Sequence, residues 1–510
     1  MTTDLPTIAV SLLLVAPLLA GGLSLLLHSS RLLHLVNLAS MGALVAAESA
    51  IARTVLTQGS LLTFGDMVYI DALSTVILFI IGTVGLACSF YMRAYMDEQV
   101  ARGVIASSRL NLFFFLFHMF LLAMVVATVA NSLGVQWVAI EATTLATTFL
   151  IAFWRRRESL EAGWKYLILC SVGISLALFG VVLTYYSSLR VLGDVSKALQ
   201  VTQLQLVAAQ LDPHILKLAF VFLFVGYGTK VGLAPMHSWL PDAYSEAPAP
   251  VAAMLAGVLE TVAVYAILRS RAIVDQAVSP AFTGGLLALF GLGSFALAAF
   301  FILLQHNYKR LFAYSSIEHM GLAMVGFGVG GAVGTFGGLF HLVNHAFAKS
   351  LAFFAAGNIH RRFKTVEMDQ VQGLASALPW SAFALGVAGF ALAALPPFAL
   401  FTSELQIVTA LGTDGLPGGW PLSGTKVPLL LLLFCGLVAF AGFLFRVTGM
   451  VWGTPAKEIA RGEGWSVGHI PIILLGTILI WFCVMLPAPF RHLLEGAATI
   501  LLGAGVGGAS

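Results

Sequence analysis

The sequence predicts an all-α polytopic membrane protein with about fourteen transmembrane helices, two of them broken. Three observations support this. The 510 residues are 59% hydrophobic and only 10% charged, with a mean hydropathy of +0.96, whereas a soluble domain carries about 25% charged residues. Apolar stretches of about 20 residues, long enough to cross a hydrocarbon core, follow one another with short links. Glycine and proline interrupt two of these stretches beside a charge, at Lys230 and before Glu404.

In order, the spans centre near residues 16, 42, 81, 122, 143, 175, 223, 259, 293, 320, 345, 391, 438 and 478, read with a window of about 19–20 residues. The first, Leu5 to Leu27, is long enough to span and has no Lys or Arg before Arg31, so a cleaved targeting peptide is not expected. The second is the weakest, because it contains Glu48, which is expected near an interface. No soluble domain fits in any link. The longest, from about Ser187 to Pro213, has room for a short surface helix. The expected organisation is helices one to three in residues 1–110, a first repeat of helices four to eight in 111–272, a second of helices nine to thirteen in 280–452, and a last helix and tail in 465–510.

Lys and Arg set the orientation. Links after odd-numbered spans hold fourteen: Arg31, Arg93, Arg102, Arg109, Arg155, Arg156, Arg157, Lys309, Arg310, Arg361, Arg362, Lys364, Lys457 and Arg461. Even links and the tail hold eight: Arg53, Arg190, Lys197, Lys217, Arg269, Arg271, Lys426 and Arg491. Positive residues favour the cytoplasmic side, so both termini are expected outside, periplasmic in a bacterial inner membrane. The net charge of +3, with scattered basic residues and no long basic run, argues against a nucleic-acid partner. Cys88, Cys170, Cys435 and Cys483 sit singly in apolar segments and read as packing residues, not as a disulfide framework or metal site.

The seventh span runs through Val225-Gly-Tyr-Gly-Thr-Lys-Val-Gly-Leu-Ala-Pro235, and the twelfth has Pro396-Pro397 seven residues before Glu404. Proline removes a backbone donor and blocks the helix ladder. Broken helices at membrane depth occur where backbone lines a hydrated cavity or is buried by protein. A matching pair in two halves points to a transporter built from repeats; the alternative is two kinked, packed helices.

A charge at the bilayer centre costs about 2.5–3.5 kcal/mol on insertion scales, so ionisable residues there are functional or paired. The candidates are Glu141, Lys230, Glu260, His341, His345, Lys349 and Glu404, with Lys165, His237, Asp242, Glu318 and His319 as secondary ones. If Lys230 approaches Glu141 to about 4 Å, their attraction is about 4 kcal/mol at an effective dielectric of about 20. Such a pair is either a switch or a static structural ion pair. His341, His345 and Lys349 recur every four residues, which keeps them on one helical face over about 12 Å. Histidine exchanges protons near neutral pH, so the group reads as a proton relay. A packed polar core is one alternative. Zinc is another, although no third ligand stands out. Glu260, mid-way along the eighth span, follows Lys230, and Glu404 is a terminal proton donor or acceptor; either is otherwise a protonated, hydrogen-bonded carboxyl. Lys165 lies few residues into its span and can snorkel. No Gly-rich nucleotide loop, cysteine cluster or Walker motif is present, so no cofactor and no redox or hydrolytic site is expected. The energy source is then a partner subunit or an ion gradient.

Lys230-Val-Gly-Leu-Ala-Pro-Met-His-Ser-Trp-Leu-Pro-Asp-Ala-Tyr-Ser-Glu-Ala-Pro248 resembles the signature of the antiporter-like proton-pumping subunits of respiratory complex I, multisubunit sodium/proton antiporters and membrane-bound hydrogenases. Lys309-Arg-Leu-Phe-Ala-Tyr-Ser-Ser-Ile-Glu-His-Met-Gly321 and His341 to Lys349 are further motifs of that family. The resemblance covers about residues 65 to 450. Ser159-Leu-Glu-Ala-Gly-Trp-Lys-Tyr-Leu-Ile-Leu-Cys-Ser-Val-Gly173 is most similar to the F component of hydrogenase-4-type complexes. The resemblance implies two inverted five-helix repeats, with broken helices seven and twelve and half-channels joined by a polar axis. It equates Glu141 with the fifth-helix glutamate, Lys230 with the seventh-helix lysine, His341, His345 and Lys349 with the eleventh-helix group, and Glu404 with the twelfth-helix terminal position. Many members carry lysine in the eighth helix where this chain has Glu260, which reverses the charge of the central site. The chain reaches Ser510 without the long lateral helix of the largest complex I homologue, so that subunit is not expected.

The expected function is therefore proton conduction within a multisubunit energy-coupling complex in a lipid bilayer, partnered by a hydrogenase-like or quinone-reductase-like module. One alternative keeps the family and pairs the chain with a soluble zinc protein in bacterial inorganic-carbon uptake. The other is a membrane scaffold whose charges are inert ion pairs.

Overall fold

A computed structural model of the chain describes residues 5–454 and 462–503. It is helical throughout, apart from one antiparallel hairpin of β1 (Leu61–Thr63) and β2 (Val68–Ile70). The first part of the chain forms α1 (Leu5–Leu26), α2 (Ser30–Gln58), α3 (Ala72–Ala101), α4 (Leu110–Val129), α5 (Leu133–Ile151), α6 (Arg157–Leu192) and a short α7 (Val201–Val207). There follow α8 (Pro213–Val231), α9 (Leu240–Glu246), α10 (Ala249–Met254), α11 (Glu260–Ala277), α12 (Pro280–Leu304), α13 (Tyr308–Val329) and α14 (Gly331–Phe363). The remainder is α15 (Leu374–Ala377), α16 (Pro379–Leu392), α17 (Ala399–Thr413), α18 (Val427–Trp452), α19 (Ile470–Val484) and α20 (Ala488–Leu501).

Eleven helices among the described residues are long and apolar enough to cross a membrane. Helices α13 and α14, of 22 and 33 residues, are long enough but carry Glu318, His319, His341, His345 and Lys349 and are not among the eleven. The twelfth expected span is the interrupted pair α16 and α17, each shorter than a membrane crossing. Length and apolarity thus support a multi-pass membrane protein and do not establish the count of fourteen. Lys457 and Arg461, used in the orientation, lie outside the described residues.

Local signals start the helices as their chemistry requires. Asp71, Asp212, Ser279 and Asn307 accept backbone N–H groups at the starts of α3, α8, α12 and α13, which satisfies donors that have no partner within the helix. Small residues then let helices touch backbone to backbone. A Cβ on Gly226 of α8 would lie 2.6 Å from the Gly173 carbonyl of α6, and one on Gly291 of α12 would lie 2.6 Å from the Gly321 carbonyl of α13. These two contacts hold the helices of Lys230 and His319 against their neighbours.

Three sequence expectations are corrected. Arg269 and Arg271, assigned to a link, lie buried on α11. Arg269 binds Asp71 through two bonds of 2.6 and 2.8 Å, and Arg271 Nε pairs with Asp275 at 2.9 Å. Glu48, expected near an interface, is buried in α2 with its carboxylate filling the space that a side chain on Gly82 of α3 would occupy. The link after Ser187 is shorter than expected, because α6 continues to Leu192; α7 is the short helix it holds.

The Arg269–Asp71 pair fastens α11 to the start of α3. Removing one partner from a buried pair leaves an uncompensated charge, at a cost of about 3–5 kcal/mol. Arg269→Ala is therefore expected to lower the unfolding midpoint in detergent sharply. Arg269→Met combined with Asp71→Asn, which removes both charges and keeps an acceptor for the cap, is expected to recover most of the loss. Equal loss in the single and double variants would show that the ion pair does not hold the two helices.

Candidate functional site

Glycine and proline place the first break. Helix α8 ends at Gly232, whose φ of 85° is the left-handed conformation that glycine adopts without a Cβ penalty. The Leu233 N–H returns to the Gly228 carbonyl and the Gly232 N–H is shared between the Gly228 and Thr229 carbonyls, so the Thr229 carbonyl loses its regular partner, the N–H four residues on, and keeps only the shared bond. The Trp239 indole N–H donates to it at 2.9 Å, and Ser294 Oγ on α12 accepts the Ala234 N–H at 2.9 Å. The second break follows the same rule. Leu392 closes α16, and its carbonyl would accept from residue 396, but Pro396 has no N–H. His319 of α13 supplies the donor, with Nε2 3.2 Å from the Leu392 oxygen.

Lys230 is fully buried in the last turn of α8, two residues before Gly232. Its ammonium donates to Thr144 Oγ1 at 2.8 Å and to Tyr166 Oη at 2.5 Å. Thr144 in turn donates to Glu141 Oε2 at 3.1 Å, and Ser171 donates to Glu141 Oε1 at 3.0 Å. The expected approach of Lys230 to Glu141 is thus bridged. A hydroxyl accepts from the cation and donates to the carboxylate, and no direct ion pair joins the two among the described residues. Beyond Lys230 the Tyr166, Trp239 and Tyr244 rings follow in edge contacts of 5.0 and 6.1 Å.

Tyr244 Oη donates to Glu260 Oε1 at 2.5 Å. A π-helical turn, Leu255–Leu259, directly precedes Glu260, and its Gly257 lies against the Ala346 backbone and Ser350 of α14. Such turns re-aim side chains and recur at functional positions. Lys349, on the same α14 surface one turn beyond His345, donates its ammonium proton to the Phe312 carbonyl at 2.7 Å.

His341 and His345 share the predicted face of α14 with Lys349, and that face meets α13. The His319 ring lies 5.1 Å from that of His341 and 5.4 Å from that of His345. His319 Nδ1 is 3.1 Å from His341 Nε2 and 3.5 Å from Glu404 Oε1. His341 Nδ1 contacts Ser403 Oγ at 3.0 Å. His319, a secondary candidate from sequence, therefore stands at the junction of α13, α14 and α17, and Glu318 lines one cavity with Glu404.

The structure separates the other secondary candidates from this line. Lys165 and Asp242 form a half-exposed network in which Lys165 Nζ lies 2.7 Å from Glu161 and 3.1 Å from Asp242, and Arg310 also pairs with Asp242. His237 is partly buried within the first break, with its ring 6.5 Å from Tyr314. Sequence reasoning missed Thr144, Tyr166, Ser171, Tyr244 and Ser403. A signal was present for Thr144, one turn after Glu141 in a run with Thr143, Thr147 and Thr148.

Residues 130–420 match the family described as NADH:quinone oxidoreductase/Mrp antiporter, transmembrane. The chain is similar to the Hydrogenase-4 component F homolog of Methylacidiphilum infernorum (isolate V4), at 38% identity over 429 residues, 84% of this chain and 87% of that protein. Its fold is similar to a chain of the archaeal membrane-bound sulfane sulfur reductase, a respiratory membrane complex, with a TM-score of 0.84, 24% identity and coverage of 97% and 98%. It is also similar to a chain of the Mrp complex of Dietzia sp. DQ12-45-1b, with a TM-score of 0.80, 19% identity and coverage of 97% of each chain.

A buried carbonyl left without a donor costs about 1–3 kcal/mol. His319→Leu, which strands the Leu392 oxygen, is expected to destabilise the detergent-solubilised protein by about that amount. His319→Gln, which keeps an N–H donor, is expected to lose less. Equal losses on thermal unfolding would show that His319 does not stabilise the second break through this bond.

Proposed function

The chain belongs to the NADH:quinone oxidoreductase/Mrp antiporter family of membrane proteins, and we propose that it is a proton-translocating subunit of a multisubunit membrane complex. One observation carries this reading: within the family-matched segment, titratable side chains on both broken helices, Lys230 buried and Glu404 partly so, each adjoin further polar groups, a hydroxyl in one case and imidazoles in the other. One group is Glu141, Thr144 and Lys230. The other joins His341, His319 and Glu404, with the His345 ring 5.4 Å from that of His319 and Lys349 one turn further along α14.

Protons cross between Lys230 and Glu141 through the Thr144 hydroxyl, which can pass a proton because it both accepts and donates. They cross the centre between Glu260 and Lys349. Where many relatives have lysine in the eighth helix, this chain supplies the acid there, and Lys349 of α14 supplies the base. The imidazoles exchange protons with Glu404 at the second break. Residues 111–272 and 280–452 are the two half-channels, related as inverted repeats. The membrane is the bacterial inner membrane with both termini periplasmic, on the strength of the Lys and Arg distribution. Other subunits are its partners, since relatives are named as a hydrogenase component or come from respiratory and Mrp complexes. The driving reaction belongs to those subunits, a hydrogenase-like or quinone-reductase-like module.

Proton flux into proteoliposomes containing the purified complex tests this. Lys230→Ala and Glu404→Gln are each expected to lower flux by about 100-fold, the order of effect of a positioned acid or base. Thr144→Val removes both hydrogen bonds of the bridge, at least about 1.4 kcal/mol together, and is expected to slow flux about tenfold or more, whereas Thr144→Ser retains them. Undiminished flux in both charge variants would leave an inert scaffold as the better reading.

A further inference from the structure

His319, His341 and Glu404 converge three ligand atoms within 4.8 Å of one another. We propose that they form a binding site for a divalent transition-metal ion of the zinc class, and that the ion blocks proton passage at the second break. The blocking effect rests on the proton-translocating reading; the binding does not.

The two spacings from His319 suit the ion. Tetrahedral zinc holds its ligands at about 2.0–2.2 Å, which separates them by about 3.3–3.6 Å. His319 Nδ1 and His341 Nε2 are 3.1 Å apart, and His319 Nδ1 and Glu404 Oε1 are 3.5 Å apart. Two imidazoles and one carboxylate select zinc, cobalt, nickel or copper over magnesium and calcium, which favour all-oxygen sites.

The surrounding hydrogen bonds set up the ligands. A carbonyl only accepts, so the bond to Leu392 requires the proton on His319 Nε2 and leaves Nδ1 with its lone pair turned to His341. Ser403 Oγ lies 3.0 Å from His341 Nδ1 and 2.9 Å from the Leu400 carbonyl, and it has one proton to give. When that proton goes to Leu400, His341 Nδ1 donates to Ser403 and Nε2 is bare. Two imine nitrogens and a carboxylate oxygen then face one another, and a cation between them relieves the repulsion. When the hydroxyl turns to His341 Nδ1 instead, His341 Nε2 keeps its proton and donates to His319 without metal. Rotation of one hydroxyl and transfer of one proton from Nε2 to Nδ1 of His341 therefore interconvert the metal-free and metal-ready forms. Imidazole ligands whose second nitrogen donates to a carbonyl or hydroxyl are typical of metal centres.

Access is built in as well. The histidines are buried, but the Glu404 side chain is 25% exposed. It opens on a cavity of about 270 Å³ that Glu318 also lines. Water from the cavity would complete the fourth position.

The test uses the purified, chelator-treated complex, titrated calorimetrically with zinc chloride and optically with cobalt(II). Zinc is expected to bind this subunit at one site, and cobalt to give the visible absorption of a tetrahedral centre. Both signals are expected to weaken by about 100-fold in His341→Ala and in Glu404→Gln, and by about 10- to 100-fold in Ser403→Ala, which removes only the hydrogen bond behind a ligand. Thermal unfolding identifies any variant that fails to fold, and the remaining variants still decide the matter. Zinc binding equal to that of the parent complex in every folded variant, or no binding in the parent, would overturn the site. Binding lost in these variants, with zinc leaving parental flux unchanged in proteoliposomes, would uphold the site and contradict its block of proton passage at the second break.

Discussion

Backbone groups in a low-dielectric interior must find partners, and where proline or glycine interrupts a helix those partners have to come from elsewhere. Pro396 leaves the Leu392 carbonyl without an N–H, and His319 provides one; Gly232 turns the chain so that the Trp239 indole takes the Thr229 carbonyl. Lys349 likewise donates to the Phe312 carbonyl of the helix that carries Glu318 and His319. At the second break the imidazole that would move protons, His319, is thus the one that satisfies the opened backbone. The same bond holds that break open and holds the relay in place.

How each buried cation is solvated separates fastening from function. Arg269 meets Asp71 in a two-bond ion pair and also donates to Ser74 at 3.0 Å. Such a pair is costly to break and suits a fixed joint between α11 and α3. Lys230 is held by the neutral oxygens of Thr144 and Tyr166, with Glu141 one hydroxyl further on. A direct contact at about 4 Å would add about 4 kcal/mol of attraction to overcome at each transfer, at an effective dielectric of about 20. The interposed hydroxyl keeps the charges coupled and leaves the ammonium able to lose its proton. Glu260 and Lys349 carry the same logic to the centre, where Tyr244 holds the carboxylate and a carbonyl holds the ammonium.

Much of this was legible in the sequence because membrane insertion makes charge and proline conspicuous. Lys230, Glu260, Lys349 and Glu404 stand out against apolar neighbours, and the two breaks are marked by Gly232, Pro235, Pro396 and Pro397. The four-residue spacing of His341, His345 and Lys349 correctly gave one helical face. The hydroxyls were harder to find. Thr and Ser are common in membrane helices, where many only bond back to a carbonyl four residues earlier, as Thr148 does to Thr144; Thr144 is marked only by its place one turn after Glu141, and nothing local distinguishes Ser403. The π-helical turn before Glu260 comes from packing of Gly257 against α14, a contact between distant parts of the chain. Arg269 was placed in a link because its partner Asp71 lies 198 residues away.

The central claim is that Lys349 joins the two halves into one path, and one measurement tests it most directly. Proton flux driven by an imposed membrane potential is recorded in proteoliposomes carrying the intact complex with Lys349→Ala or Lys349→Arg. Arginine preserves the charge and the carbonyl bond but does not give up its proton. The account predicts that both variants assemble and that both lose flux, arginine as completely as alanine. Parental flux in the arginine variant would contradict it, because a fixed positive charge at this position would then suffice and no proton would pass through residue 349.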